Sequence, residues 1–440
     1  MNEINPNLHN LYNTMCFKNW NDIIISLPQR TVKWCCKTQY TNKQMEELKF
    51  DYNTLTEDFL FNHPILQKRK YDLSGGTRSP DCVGCWRTED AGGSSVRTEY
   101  NKNFDYRLKR QYQKAGNHPN LAKQFHRDMM EHDNFKFIEI ELTNKCNMAC
   151  VYCWGGSSTR WQKELGQRFP DTDDAMFDKT LEILNGYWDK KLVGQGHVNF
   201  SLLGGEPFFT DHMFRFIENF MMNINDTHRE GQIVVITVTT NLNFPKKKFD
   251  KFIELVNRTP NIRYEMQLSG EALHRQSELI RWGLDFAKWD ENLDLFFEKS
   301  KEIDNLVLGF GCAHNSLSLP YFKDFLVYLN DKINKYDYDK TILMHQNWVD
   351  NPEHLAIDSL EPHHADTVQE QIEYFKNMSG NFYKKQRYIG LMNTMKDLVA
   401  SEVPEKTKLL AQKQFKMLED RRKISYSEHF PHFNELVNLK

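Results

Sequence analysis

The 440-residue chain carries 57 basic and 60 acidic side chains, mixed along its length to a net charge of −3, so no field of one sign points to nucleic acid or an anionic membrane. With 40% hydrophobic and 13% aromatic residues it has the material for a large globular core, one big domain with a smaller one beside it. Nine cysteines, an odd number, do not suit a disulfide framework, and no stretch reaches the roughly 20 apolar residues needed to span a bilayer.

In chain order, residues 1–13 ("MNEINPNLHNLYN") lack a basic leader and an apolar stretch, so the chain reads as cytoplasmic. Thiols stay reduced there, and clustered cysteines bind metal or do chemistry. Cys16, Cys35, Cys36, Cys82 and Cys85 come first, with a short β-hairpin ending "VKWC" and a C-x-x-C pair. Such a pair with distant thiols is a metal signature that fits zinc or an iron–sulfur cluster. Adjacent side chains in an extended hairpin point to opposite faces, and the spacing after Val32 favours Cys35 over Cys36 as a ligand. Glu89, Ser94, Ser95 and Arg97 are expected to tie the following loop with hydrogen bonds. Residues 99–136 read as a polar helical linker.

From residue 137, β-type runs at 137–143, 198–204, 233–241, 262–269, 306–312 and 341–349 alternate with helical patterns such as 173–191, 211–224 and 320–333. Repeated strand and helix imply parallel strands, either an open doubly wound sheet or a full or partial barrel, with chemistry at the strands' carboxyl ends. The motifs fall there. Cys146, Cys150 and Cys153 follow the first strand and "GGEP" (204–207) the second, while "TTN" (239–241), "LSGE" (268–271) and "GFGCAHN" (309–315) end the next three. Lys246, Lys247 and Lys248 after Pro245 read as a solvated helix start. Beyond Pro362 the chain turns mostly helical, a tail that packs on the barrel or caps it; adjacent His363 and His364 read as a solvated turn.

Three thiolates in one loop are soft ligands, and a structural zinc site wants a fourth close by. His197 and His212, the nearest downstream histidines, flank the second strand and do not form a spaced pair. A four-iron four-sulfur cluster on three cysteines leaves one iron open, which is useful if a substrate or cofactor binds the metal directly.

The CxxxCxxC loop after the first strand, with Tyr152 before its last cysteine, resembles the signature of radical S-adenosylmethionine (SAM) enzymes. "GGEP" in the next strand resembles their site for the methionine amino group. The resemblance implies an α/β fold with a partial (β/α)6 barrel, a cluster on Cys146, Cys150 and Cys153, and reductive cleavage of SAM to a 5'-deoxyadenosyl radical that removes a hydrogen atom from substrate. It implies that Gly204 and Gly205 let backbone approach the ligand, that Glu206 meets the ammonium, that Thr240 and Asn241 lie near ribose or methionine, and that Ser269 and Arg281 hold the carboxylate. Tyr152 is expected to pack over cluster and adenine.

The N-terminal cysteines followed by "E..G..S.R" resemble the auxiliary-cluster modules called twitch or SPASM domains, although those usually follow the barrel. The resemblance assigns a second four-iron four-sulfur cluster to Cys16, Cys35, Cys82 and Cys85. The implied domains are the module at 1–98, the linker at 99–136, the barrel at 137–362 and a helical extension at 363–440. The implied partners are a flavodoxin- or ferredoxin-type electron donor and a peptide or protein substrate, with a small metabolite such as a nucleotide or sugar as the alternative. A binding or redox protein without turnover is a third class. Cys312, ending the fifth strand, is either a small buried hydrophobe or a donor of a hydrogen atom to a substrate radical.

Overall fold

β-Branched and aromatic runs become strands where turn residues bound them, and all six predicted strands form: β3 (Phe137–Glu141), β4 (His197–Leu203), β5 (Ile233–Thr240), β6 (Ile262–Ser269), β7 (Leu306–His314) and β8 (Thr341–Trp348). The computed structural model describes residues 14–103, 119–131, 134–399 and 403–437. Residues 1–13, positions 104–118 and 132–133 of the expected linker, and 400–402 and 438–440 of the tail lie outside the described residues.

Three further strands were not expected in the sheet. The N-terminal hairpin forms as β1 (Asp22–Ser26) and β2 (Thr31–Lys33), antiparallel to each other. β1 also runs parallel to β3, with Ile24 opposite Glu139, so the hairpin is an extension of the sheet and not a separate ribbon. β9 (Asn381–Phe382) is too short to give a periodic signal. The strand order is β2-β1-β3-β4-β5-β6-β7-β8-β9, an open α/β sheet of the partial-barrel type. The pairs β3–β4, β6–β7, β7–β8 and β8–β9 are parallel.

By internal contacts the chain forms two units. The first takes in the chain up to Thr143 with Pro170–Gly204 and Arg215–Val235; the second takes in Asn144–Phe169, Gly205–Phe214 and everything from Ile236. In the first, the helix Asp174–Tyr187 starts where Asp173 accepts a hydrogen bond from Met176 N at 2.8 Å. Phe61 stacks on Tyr187 at 3.8 Å, and Phe200 of β4 meets Phe220 edge-on at 5.0 Å. Met15, Phe17, Trp20, Leu73, Trp86 and Met129 pack together around Cys16, with Cys82 against them.

In the second unit, strand alternation separates a helix-covered face from an open one. Along β6, Tyr264, Met266 and Leu268 are buried, and Tyr264 packs on Phe252 of the helix Lys246–Arg258. Gln267, on the other face, meets Thr239 Oγ1 at 3.0 Å. Along β7, Phe310 touches Phe297 and Phe325, and His314 touches Phe322, all from covering helices. Gly309, Gly311 and Ala313 take the opposite face. The tail forms the helices His364–Asn377, Lys385–Val399, Glu405–Arg422 and Phe433–Val437. No helix among the described residues is long and apolar enough to cross a membrane.

Candidate active site

The cysteine loop after β3 is held by its neighbours at nearly every peptide. Thr159 Oγ1 bonds both Cys146 N and Cys146 O at 3.2 Å. Ala149 N donates to Trp282 O and Val151 N to Ile280 O, each at 2.8 Å. Trp161 Nε1 donates to Cys150 O at 2.8 Å, and Arg422 Nη2 donates to Ala149 O at 3.0 Å. All three thiols are free. Burial, and then the charge of a neighbouring thiol, push Cys146 up and Cys153 up to about 12. Arg281 draws Cys153 the other way but does not outweigh burial, and a metal centre is what turns such a set into thiolates.

The glycines of "GGEP" answer to backbone crowding. Gly204 has φ +93°, and a Cβ there would lie 2.5 Å from Thr143 O. A Cβ on Gly205 would lie 2.2 Å from Lys145 O. Both glycines therefore make room for the chain at 143–145, a demand the sequence reading had assigned to the ligand alone. Glu206 is fully buried, and its carboxylate accepts from Phe208 N (3.0 Å), Thr240 Oγ1 (2.8 Å) and Asn241 N (2.7 Å). Burial outweighs these bonds and lifts its pKa to about 7. Asn241 reaches on to Asn147 Oδ1 at 2.9 Å and lies 3.9 Å from Cys146 Sγ, so the end of β5 joins the carboxylate to the cysteine loop.

Arg281 is also buried, and it forks onto Glu271, Nε to Oε1 at 3.0 Å and Nη2 to Oε2 at 2.5 Å. Tyr152 donates its hydroxyl to the same Glu271 Oε1 at 3.0 Å, and the guanidinium sits 5.7 Å from its ring. Ser269 closes β6, and its carbonyl accepts from Trp289 Nε1 at 2.9 Å. Glu271 was missed as a site residue; its signal was the acidic residue ending "LSGE". Arg422 and Trp161 were missed with no usable signal, because only the folded chain brings them to the loop.

In the first unit, Cys16, Cys35, Cys82 and Cys85 line one recess with Lys18 and Arg97, whereas Cys36 is exposed and outside it. Burial, then the neighbouring thiols, raise Cys16; burial raises Cys82 to about 12. A hydrogen bond from Cys36 is the main cause that draws Cys35 down to about 6. Buried Arg69 pairs with Asp81, next to Cys82, at 2.9 Å. The loop tie expected of Glu89, Ser95 and Arg97 is formed: Arg97 forks onto Glu89 at 3.0 and 2.5 Å and donates to Met15 O at 2.7 Å, while Ser95 Oγ donates to Glu89. Ser94 bonds Thr98 at 3.1 Å.

One sequence reading changes in part. His363 is an exposed turn residue as expected, whereas His364 is buried at the start of a helix, and both Nε2 atoms turn to Glu435, at 3.4 and 3.1 Å. This is also the one group among the described residues whose three or more metal-type donor atoms lie within 4.8 Å of one another. Cys312, 1% exposed, shares the helix-covered face of β7 with Phe310 and His314, which is a packing position.

The residues present fit the groups that the cysteine loop implies: three soft donors in one loop, a buried carboxylate beside them, and a buried guanidinium within the same unit. Residues 140–312 match the family model described as Radical SAM superfamily. A search of curated proteins finds no match. The matched span holds the cysteine loop, Glu206, Asn241 and Arg281 on one series of neighbouring strands, and the chain therefore carries a radical SAM domain and is an enzyme that uses S-adenosylmethionine with a four-iron four-sulfur cluster.

Proposed function

We propose that this enzyme modifies a side chain or backbone carbon of a peptide or protein, and that residues 1–98 are a twitch- or SPASM-like module with a second four-iron four-sulfur cluster. The observation that carries the reading is the recess lined by Cys16, Cys35, Cys82 and Cys85, because modules of this type often accompany enzymes acting on ribosomally made peptides. The linker at 99–136 leads to a barrel at 137–362, and 363–440 is a helical extension.

When bound, the first cluster would supply one electron and SAM the 5'-deoxyadenosyl group for removal of a hydrogen atom from the substrate, with a carbon–sulfur bond broken and methionine as the leaving group. Cys146, Cys150 and Cys153 hold that cluster. Glu206, ionised, meets the methionine ammonium through a charge-assisted hydrogen bond. Arg281 offers the donors not spent on Glu271 to the carboxylate, with Ser269 beside it, and Tyr152 closes over the adenine side. Thr240 and Asn241 fix Glu206 and line the ribose side.

Anaerobic reconstitution tests the ligand sets. The protein is expected to carry about eight irons, and replacing Cys146, Cys150 and Cys153 with alanine leaves about four. Cys35→Ala removes the other four or so, and Cys36→Ala does not. A parent protein with only about four irons overturns the second cluster. For the substrate class, peptides deuterated at every carbon are to be incubated with the reduced enzyme and 5'-deoxyadenosine weighed by mass spectrometry. Deuterium transfer from a peptide supports the reading; transfer only from a nucleotide or sugar refutes it.

A further inference from the structure

An open cleft of about 880 Å³ in the second unit has Cys146 in its wall. Around it stand Arg160, Lys163, Arg421 and Arg422 against a single carboxylate, Glu164. That carboxylate is taken: Arg422 Nε bonds Glu164 Oε1 at 3.1 Å and Nη2 bonds Oε2 at 3.2 Å. The other three cations are exposed and have no carboxylate partner among the described residues. Arg160 donates to Asn147 O at 3.1 Å and Arg421 to Glu164 O at 2.7 Å, both neutral carbonyls that leave the charge in place. A chain with a net charge of −3 thus turns a concentrated positive field outward at one cluster ligand.

None of Glu206, Asn241, Ser269 or Arg281 lines this cleft. A body seated there reaches the cluster's edge without touching the residues assigned to SAM. Substrate has no use for such a position, since the hydrogen atom is taken at SAM. An electron has use for it, because it needs close approach to the cluster and no bond. Electron-transfer encounters make small interfaces and depend on charge steering for their rate.

We infer that the Arg160–Lys163–Arg421 rim is the docking surface of an acidic one-electron donor protein. The step is balanced: the reduced donor loses one electron, the cluster gains it, and no proton or group moves. The inference rests on the reading that Cys146 holds the cluster.

The test measures flavodoxin binding to parent and to the Lys163→Glu/Arg421→Glu variant by calorimetry, expected to weaken about tenfold or more in the variant. It also compares two reductants on cluster-loaded enzyme, scoring 5'-deoxyadenosine: reduced flavodoxin, which is acidic, and the reduced methyl viologen cation, which is small and positively charged. In the Lys163→Glu/Arg421→Glu variant the flavodoxin-driven rate is expected to fall by about tenfold or more, with the viologen-driven rate not reduced. Raising salt from about 0.05 to about 0.5 M slows the parent with flavodoxin and leaves the variant unchanged. Equal flavodoxin rates in parent and variant overturn the docking surface. A parallel loss with both reductants overturns it too, since the residues then support the loop. A parent that carries cluster yet yields no 5'-deoxyadenosine with viologen refutes the underlying reading instead.

Discussion

Glu206 accepts three hydrogen bonds in a site where burial still lifts its pKa to about 7 from an ordinary 4.5. A carboxyl raised in the fold keeps a proton that the unfolded chain gives up, so its contribution to stability is full below about pH 4.5 and is lost as pH rises through about 7. Ammonium binding runs the other way, since it needs the anion. SAM affinity is therefore expected to rise between about pH 6 and pH 8, measured by equilibrium dialysis, and Glu206→Gln is expected to flatten that profile. Glu206→Ala should weaken binding by about 1.5 to 3 kcal/mol, the worth of a charged hydrogen bond. Residue type and position made Glu206 legible in the sequence. That both its oxygens are engaged by Phe208, Thr240 and Asn241 was not legible, since the β5 residues are donors only once that strand lies beside the loop.

The helix Glu405–Arg422 shows the same limit one scale up. Its period is readable, but not what it covers. Its last residue, Arg422, lies with its guanidinium 4.9 Å from the Trp161 ring and 5.1 Å from the Trp282 ring, bonded to Ala149 O and Glu164. The side chain is 1% exposed and that of Glu164 15%. Removing one partner of such a pair leaves a buried charge uncompensated, so Arg422→Ala should cost about 3 kcal/mol in urea unfolding. Cluster iron should also be lost faster to a chelator, because Ala149 precedes the ligand Cys150. Arg422→Lys keeps the charge and loses the fork, so it should fall between parent and Arg422→Ala.

For the molecule as a whole, metal and fold are coupled. Thiols that burial pushes up, such as Cys16, Cys82 and Cys153, must release protons to bind iron. Cluster retention is expected to weaken as pH falls, followed by visible absorbance. Protein stripped of cluster should be less stable than loaded protein by at least about 3 kcal/mol, followed by circular dichroism in urea.

The sequence by itself determined the strand series, the helices between them and the CxxxCxxC and GGEP motifs, because period, turn residues and ligand spacing are local properties of the chain. Only the tertiary structure decided that β1 joins the sheet through β3, since strand partners lie more than a hundred residues apart. It also decided that Glu271 holds Arg281, that Cys312 faces the helices, and that His363 and His364 share Glu435. Those outcomes depend on which surfaces meet when apolar faces are buried, and no spacing along the chain encodes them.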